Sequence, residues 1–419
     1  MSKPRTAIVH YTAPPIIGGV EAVILAHAET FLRAGYPVTV VAGRGEAGGL
    51  PPGADLILIP ELDSRHPEIM KLGQALEKGQ VPAGFEPMVD LLVKRLAPAL
   101  ASFDNVIAHN VLSKRFNLPL TAALYRLLEA GDMGHLIAWN HDFDWASPRS
   151  REKVHAGYPW DLLRAYRPEI TFVVVSRERR QIQAELLDRP PEEVHLIYNG
   201  VEPGMVLNLS DRGRDLVRRL DLFDAGLLLL MPVRVTRAKN IEYALEVVAA
   251  LKAQGCRPKL ILTGPPDPHD EGSMDYFHSL QARRRELGVE DEMRFVFESG
   301  PDGTEGFTVG PGVVGDLYRV SDLMFMPSHR EGFAMPVLEA GLAGLPVICT
   351  AVPAAVEIGG DDVLIFDENE PPGDLARRIA ARMEGDPVHR LRRRTRRDYT
   401  WRAIFQDKIE PLLQKRGAS

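Results

Sequence analysis

The chain has 419 residues, 45% hydrophobic and 26% charged. That is enough apolar material for two cores, and two domains of roughly 150 to 200 residues are the expectation. A formal net charge of −7 argues against a general nucleic-acid binder; with no apolar run near the ~18 residues that span a bilayer and no signal-peptide stretch after Met1, it points to a cytoplasmic protein.

Short β-rich apolar runs alternate with longer amphipathic stretches, the pattern of βα units around parallel sheets. The first series of strands is expected at Thr6 to His10, Val38 to Ala42, Leu56 to Ile59, Asn105 to His109, His135 to Trp139 and Ile170 to Val175. After the first strand comes Pro14-Pro-Ile-Ile-Gly18-Gly19, then a helix over Val20 to Arg33. Paired glycines at such a turn let backbone approach a ligand closely, although a Gly-Gly pair is as often a structural convenience. Asp63 to Pro87 is polar and interrupted by proline, and it reads as a long irregular loop. An Asn199-Gly200 turn closes the series, so the join is expected near Glu202 to Asp211. The expected domains are 1–205, 206–397 and a C-terminal helix at 398–419 that crosses back to the first domain.

The second series is expected at Leu227 to Pro232, Lys259 to Thr263, Met293 to Phe297, Asp322 to Met326, Pro346 to Thr350 and Val363 to Phe366. Its first strand leads into Val233-Arg234-Val-Thr-Arg237-Ala-Lys239-Asn240. Cations at the carboxyl edge of a strand suit a diphosphate, since Arg binds two oxygens in a fork and Lys acts as a compact charge. Gly264 follows the next strand in a turn small enough for a flat ligand, or for nothing more than a turn. Glu298 to Gly312 is glycine-rich and without period. The two cysteines, Cys256 and Cys349, stand in unrelated contexts, which sets aside a disulfide framework or thiolate metal site.

The most informative segment is Glu331-Gly-Phe-Ala-Met-Pro-Val-Leu-Glu339, two carboxylates around a turn, after the apolar run Leu323 to Met326 and before a helix-like run from Pro336 to Leu342. In an α/β sheet a ligand sits where a strand ends and the next helix aims its N–H groups into the crevice. Together these residues resemble glycosyltransferase family 4, retaining enzymes that use nucleotide sugars. Glu331 to Glu339 matches the family's E-x7-E signature, and Arg234 with Lys239 matches the pair that holds the donor diphosphate. Gly18-Gly19, Val175-Ser176, Asn199-Gly200 and Trp401 fall in order along nearly the whole chain.

The resemblance implies a GT-B fold: α/β, two Rossmann-like domains with parallel sheets facing a central cleft. It implies that Glu339 accepts from ribose hydroxyls and that the turn Gly332, Phe333, Ala334 and Met335 meets phosphate. Gly18, Gly19 and Gly264 complete the donor side. Glu331, Arg234, Lys239 and His141 are the expected catalytic set, with His141 approaching the donor sugar. Ala334 replaces a residue that is often glycine in the family, which reads as a mild change. The cations, and no metal or other cofactor, are expected to take up charge on the departing diphosphate. A hexosyl group would pass from a UDP- or GDP-sugar to a hydroxyl of a sugar, polyol or lipid-linked acceptor.

Acceptor contacts are expected from first-domain loops, with Asn110, Asp142 and Trp145 as candidates. A disaccharide phosphorylase of the same fold and a non-catalytic binding protein are the alternatives. A glycoside hydrolase is disfavoured, because its chemistry needs no Arg234 or Lys239 and Glu339 is expected on the buried side of its helix. A basic run, Arg390 to Arg397, suggests anionic lipid, so peripheral membrane association is conceivable. A solvated helix face that pairs with acids of the first domain is the favoured reading. The oligomeric state is left open.

Overall fold

A computed structural model describes residues 3–414. Met1 and Ser2 of the N-terminal stretch, and 415–419 of the expected C-terminal helix, lie outside the described residues. Two units form the chain: 3–201 with 399–414, and 202–398.

The first unit holds seven parallel strands: β1 Thr6–Thr12, β2 Val38–Arg44, β3 Asp55–Leu58, β4 Asn105–His109, β5 His135–Asn140, β6 Thr171–Val174 and β7 His195–Leu196. They lie in the order β3-β2-β1-β4-β5-β6-β7. β1 shows why the sheet is covered on both faces. Ala7, Val9 and Tyr11 enter one apolar cluster, and Ile8 enters another on the opposite face. Alternate side chains point to opposite faces, so a strand apolar throughout must be buried twice. Helices do the burying. Gly19–Arg33 places Ile24, Ala28 and Phe31 on the Ile8 face, while Phe85–Leu100 sends Val89, Leu92 and Leu96 to the other. Asn117 and Ser176 accept backbone N–H bonds at the starts of helices Leu118–Ala130 and Arg177–Leu187, which fixes where those helices begin.

The second unit repeats the plan with six strands: β8 Leu227–Met231, β9 Pro258–Leu262, β10 Met293–Phe295, β11 Leu323–Met326, β12 Val347–Thr350 and β13 Leu364–Phe366. Their order is β10-β9-β8-β11-β12-β13, all parallel. Leu227, Leu229 and Met231 face one cluster, Leu228 and Leu230 the other. Each sheet therefore has the doubly wound order of a Rossmann fold, with its first strand next to its fourth. The chain is α/β with two Rossmann-like domains, the fold class expected of GT-B.

Several local expectations change. Asp63 to Pro87 is not a loop: it holds helix Pro67–Leu76 and the start of Phe85–Leu100. Gly200 has no left-handed backbone; a Cβ there would lie 2.8 Å from Trp401, whose indole packs edge-on against His27 at 5.2 Å. Trp401 opens a C-terminal segment that buries Ile404, Phe405, Ile409, Leu412 and Leu413 in the first unit. The basic run lies on helix Pro387–Asp398 of the second unit, with Arg390, Arg393, Arg394 and Arg397 exposed and Arg392 and Arg396 anchored. Arg396 donates to buried Asp322 at 2.6 Å, and Arg392 donates to the Ser321 and Arg319 carbonyls. Its buried acidic partner is thus in its own unit, not in the first domain.

Candidate active site

In an open α/β sheet the crevice opens at the switch point, where adjacent strands send their following segments to opposite faces. In the second unit that point lies between β8 and β11. The segments leaving them, 232–240 and 327–334, are joined by backbone: His329 N–H donates to the Ala238 carbonyl at 2.9 Å. Side chains join them as well. Lys239 Nζ lies 2.7 and 2.8 Å from the two Glu331 oxygens, with the carboxylate only 9% exposed. Two of the expected site residues, 92 positions apart, are thus brought into contact. An ammonium has three N–H donors, so this contact leaves Lys239 one more to offer.

Arg234 is on the same segment, with 59% of its side chain exposed and Asp267 Oδ1 3.9 Å away. Gly264 stands directly behind it. A Cβ there would come within 2.5 Å of the Val233 carbonyl and 2.7 Å of Arg234 Cα, and the Gly264 N–H donates to Val233 at 3.0 Å. The glycine is required by the chain under Arg234.

The turn after β11 ends at Ala334, whose φ of 61° is left-handed, and helix Met335–Leu342 follows with no side-chain cap and no acid in its first turn. An uncapped N-terminus with no acid in its first turn suits an anion. Gly332, Phe333 and Met335 are exposed around it. Glu339 is exposed too, contrary to the expected buried side, and its Oε2 accepts from the Tyr318 hydroxyl at 2.7 Å. Burial, then the Glu339 contact, pushes the Tyr318 phenol far up, so it stays a donor. Tyr318 escaped the sequence reading, since nothing but a tyrosine on the preceding helix announces it.

In the first unit the switch lies between β1 and β4. Gly18 and Gly19 follow β1, Asn110 follows β4, and His141 and Asp142 follow β5. A Cβ at Gly18 would meet the Glu21 carboxylate at 2.0 Å, the end of a side chain that can swing aside; Gly19 would meet nothing within 4 Å. Glu21 accepts from the Thr12 hydroxyl and lies 3.9 Å from His10 Nε2. His10 Nδ1 is 2.8 Å from the His109 carbonyl, and His109 Nδ1 is 3.1 Å from His141 Nε2. A line of contacts thus runs from the glycine-loop helix to His141. His109, the last residue of β4, escaped the sequence reading; its place at the end of a switch-point strand was the available signal.

Asn110 is held at a φ of 57°, and its Oδ1 accepts the His141 N–H at 2.7 Å and the Asp142 N–H at 3.3 Å. Its side-chain carbonyl positions the loop. Asp142 is exposed and pairs with Arg179 at 3.0 Å. Trp145 is not a stacking platform. It is 7% exposed, its Nε1 donates to the Trp160 carbonyl at 3.1 Å, and the Arg164 guanidinium lies 4.0 Å from its ring centroid. Burial, then the charge of His10, lowers His141 to about 4, so its imidazole is neutral near pH 7. Among the described residues no group of three or more His, Cys, Asp or Glu is placed to hold a metal ion.

This arrangement, a cation-and-carboxylate pair at the switch point beside an uncapped helix, lies in a segment that known proteins share. Residues 215–398, most of the second unit, match the family model described as glycosyl transferases group 1. The second unit is thus similar to the glycosyltransferases of that group. Over 369 residues it is 27% identical to a D-inositol 3-phosphate glycosyltransferase of Actinosynnema mirum, spanning 83% of this chain and 80% of that one. Over 188 residues it is 28% identical to an uncharacterized glycosyltransferase of Methanocaldococcus jannaschii, a match to 44% of this chain that spans only 43% of that relative's length. A solved glycosyltransferase structure from Rickettsia africae ESF-5 aligns over 99% of this chain and 100% of that one, at 15% identity and a TM-score of 0.36, too slight a likeness to add to the topology above.

Proposed function

We propose that the protein is a retaining, metal-independent hexosyltransferase of family 4, acting in the cytoplasm on a nucleoside-diphosphate sugar, UDP- or GDP-linked, and a hydroxyl of a sugar or polyol. The observation that carries the donor assignment is the Lys239–Glu331 contact at the β8/β11 switch point, beside the uncapped helix at Met335. When the glycosyl–phosphate bond breaks, the diphosphate gains negative charge while positive charge grows at the anomeric carbon. Arg234, Lys239 and the helix N-terminus supply fixed positive potential for the first. Glu331 fixes the ammonium in place and faces the transferred sugar. Glu339, its carboxylate oriented by Tyr318, accepts from the ribose hydroxyls. Neutral His141 offers one hydrogen bond to a sugar hydroxyl. For retention, the acceptor attacks from the face the nucleotide leaves, and the departing phosphate oxygen takes the acceptor's proton.

The relative from Actinosynnema mirum, named for a phosphorylated polyol, supports a sugar or polyol over a lipid-linked glycan. A thermal-shift series with UDP, GDP, ADP and their sugars tests the donor. One nucleotide should stabilise the protein by about 2.7 kcal/mol at a hundredfold excess over Kd, and Lys239→Ala should lower kcat by about 10²-fold or more. If no nucleotide shifts the melting temperature, the donor reading fails. The anomeric configuration of the product decides retention, and turnover in a chelator decides the metal.

A further inference from the structure

The first unit contains a cavity of about 250 Å³ that none of the expected roles uses. Its walls come from segments following three successive carboxyl ends: Ser64 after β3, Arg115 and Phe116 after β4, and Lys153 after β5. Helix Pro67–Leu76 closes one side, with Gln74 facing in and Glu77 at its end. The cavity therefore lies on the side of the sheet where α/β proteins bind ligands. At this volume, below the ~300 to 1,000 Å³ of sites for drug-sized molecules, it suits a single six-carbon ring and not an oligosaccharide.

Charge sets the ligand's chemistry. Arg115 and Lys153 line the cavity, and one carboxylate, Glu77, serves both: its Oε1 lies 2.9 Å from the Arg115 guanidinium and its Oε2 3.2 Å from Lys153 Nζ. The second partner of Arg115, Asp144, is wholly buried and is met at 2.6 Å by Lys114 as well. Counting the cluster, Lys114, Arg115 and Lys153 face Asp144 and Glu77, an excess of one positive charge. Arg115 Nε is buried without a hydrogen-bond partner. Glu77 holds its cations as a bound anion would, two oxygens to two donors, and its side chain is 39% exposed, so it can yield. Apolar surface for the C–H face of a ring is present in Phe116, 46% exposed, and Met70, 50% exposed.

We infer that this cavity binds the acceptor, and that the acceptor is a ring sugar or polyol carrying a phosphate or carboxylate. The anion is met by Arg115 and Lys153 in place of Glu77, and the hydroxyls by Ser64 and Gln74. This rests on the glycosyltransferase reading and narrows its acceptor to an anionic one.

The test is calorimetric titration of the full chain with inositol monophosphate, hexose 6-phosphate, the uncharged parents, inorganic phosphate, and vesicles with and without phosphatidylinositol. A phosphorylated ring should bind more tightly than its parent by about tenfold or more. Lys153→Glu should weaken it by at least about tenfold, and Glu77→Gln, which removes the competing carboxylate, should tighten it. A residue with a merely structural role would not give that tightening. Vesicle binding that is sensitive to Lys153→Glu, with no soluble phosphate bound, would assign the same chemistry to a lipid headgroup. Equal affinity for charged and uncharged rings, or binding untouched by Lys153→Glu, overturns the proposal. Nucleoside diphosphate titrated into the same samples separates the two readings. If it binds while no anionic ring does, the cavity assignment alone fails; if it does not bind, the glycosyltransferase reading fails.

Discussion

Ala334 holds a backbone that costs a non-glycine residue about 1 to 2 kcal/mol, since its φ of 61° brings Cβ toward the following carbonyl. Taken alone, that strain would make the change from glycine a costly one. Its methyl, 3% exposed, is packed in the same cluster as Met326 and Val337, which returns about 0.8 kcal/mol, and glycine would lose roughly 0.5 to 1 kcal/mol more chain entropy. These terms nearly cancel, so Ala334→Gly should move the urea-derived stability by less than about 1 kcal/mol. Ala334→Val puts a branched side chain into the same conformation and should cost more than about 2 kcal/mol, with nucleotide affinity falling alongside. Equal stability of the two variants would mean that the turn relaxes freely. Among single residues, Lys239 and Glu331 were legible because each follows an apolar strand with its charge unexplained by any period. Tyr318 and His109 were not, since each acquires its partner only when segments 21 and 32 positions apart meet. Trp145 misled because an aromatic just after two acids reads the same whether its indole N–H ends on a sugar or on the Trp160 carbonyl.

Elements were legible where burial on both faces left an unbroken apolar run, as in Leu227 to Met231, and illegible where they were short or opened by proline. β7 has two residues and therefore no period to read. Pro67 and Pro87 looked like interruptions, yet both sit in first helical turns, where the missing N–H costs nothing. The basic helix Pro387–Asp398 does keep Arg390, Arg393, Arg394 and Arg397 on a solvated face, while its other side locks the β8 and β11 starts together. Asp322 is the bolt. It accepts the Leu228 N–H at 2.8 Å and Arg396 at 2.6 Å, with His389 3.7 Å away. Burial alone would raise this carboxyl, but His389, Arg396 and the Leu228 amide outweigh it and hold it below its ordinary range. Arg396→Met leaves a buried charge without its main partner and should destabilise the second unit by about 3 to 5 kcal/mol. Arg396→Lys should fall between, because an ammonium cannot reproduce the guanidinium fork. A Met variant within about 1 kcal/mol of wild type in denaturant melts would show that Arg392 and His389 suffice.

Across the whole molecule, sensitivity to acid is divided unequally. His10, His27, His109 and His141 all lie in the first unit, and burial, the largest cause in each case, lowers all four below the usual imidazole range, His27 to about 3 and His141 to about 4. A histidine whose folded pKa is depressed binds its proton in the unfolded chain first. Its contribution is thus intact above about pH 6.5 and is lost as pH falls toward the folded value. For fully buried His27 the loss is roughly 1.4 kcal/mol per pH unit through that window. In the second unit Asp322 follows the same proton logic at lower pH: its depressed pKa gives stability that persists above the ordinary carboxylate range and is lost only below it. Between pH 6.5 and 4 the first unit should therefore weaken ahead of the second. All four tryptophans, Trp139, Trp145, Trp160 and Trp401, belong to the first unit, so indole fluorescence follows it alone. Urea midpoints by fluorescence should fall with pH in this window while those by far-ultraviolet circular dichroism, which sees both units, fall less. Both ring nitrogens of His27 are buried without a partner between Phe31 and Trp139, so His27→Leu should cost little at pH 7 and should flatten the fluorescence-detected pH slope by about one proton. An unchanged slope in that variant would place the acid sensitivity in the other three histidines and remove His27 from the account.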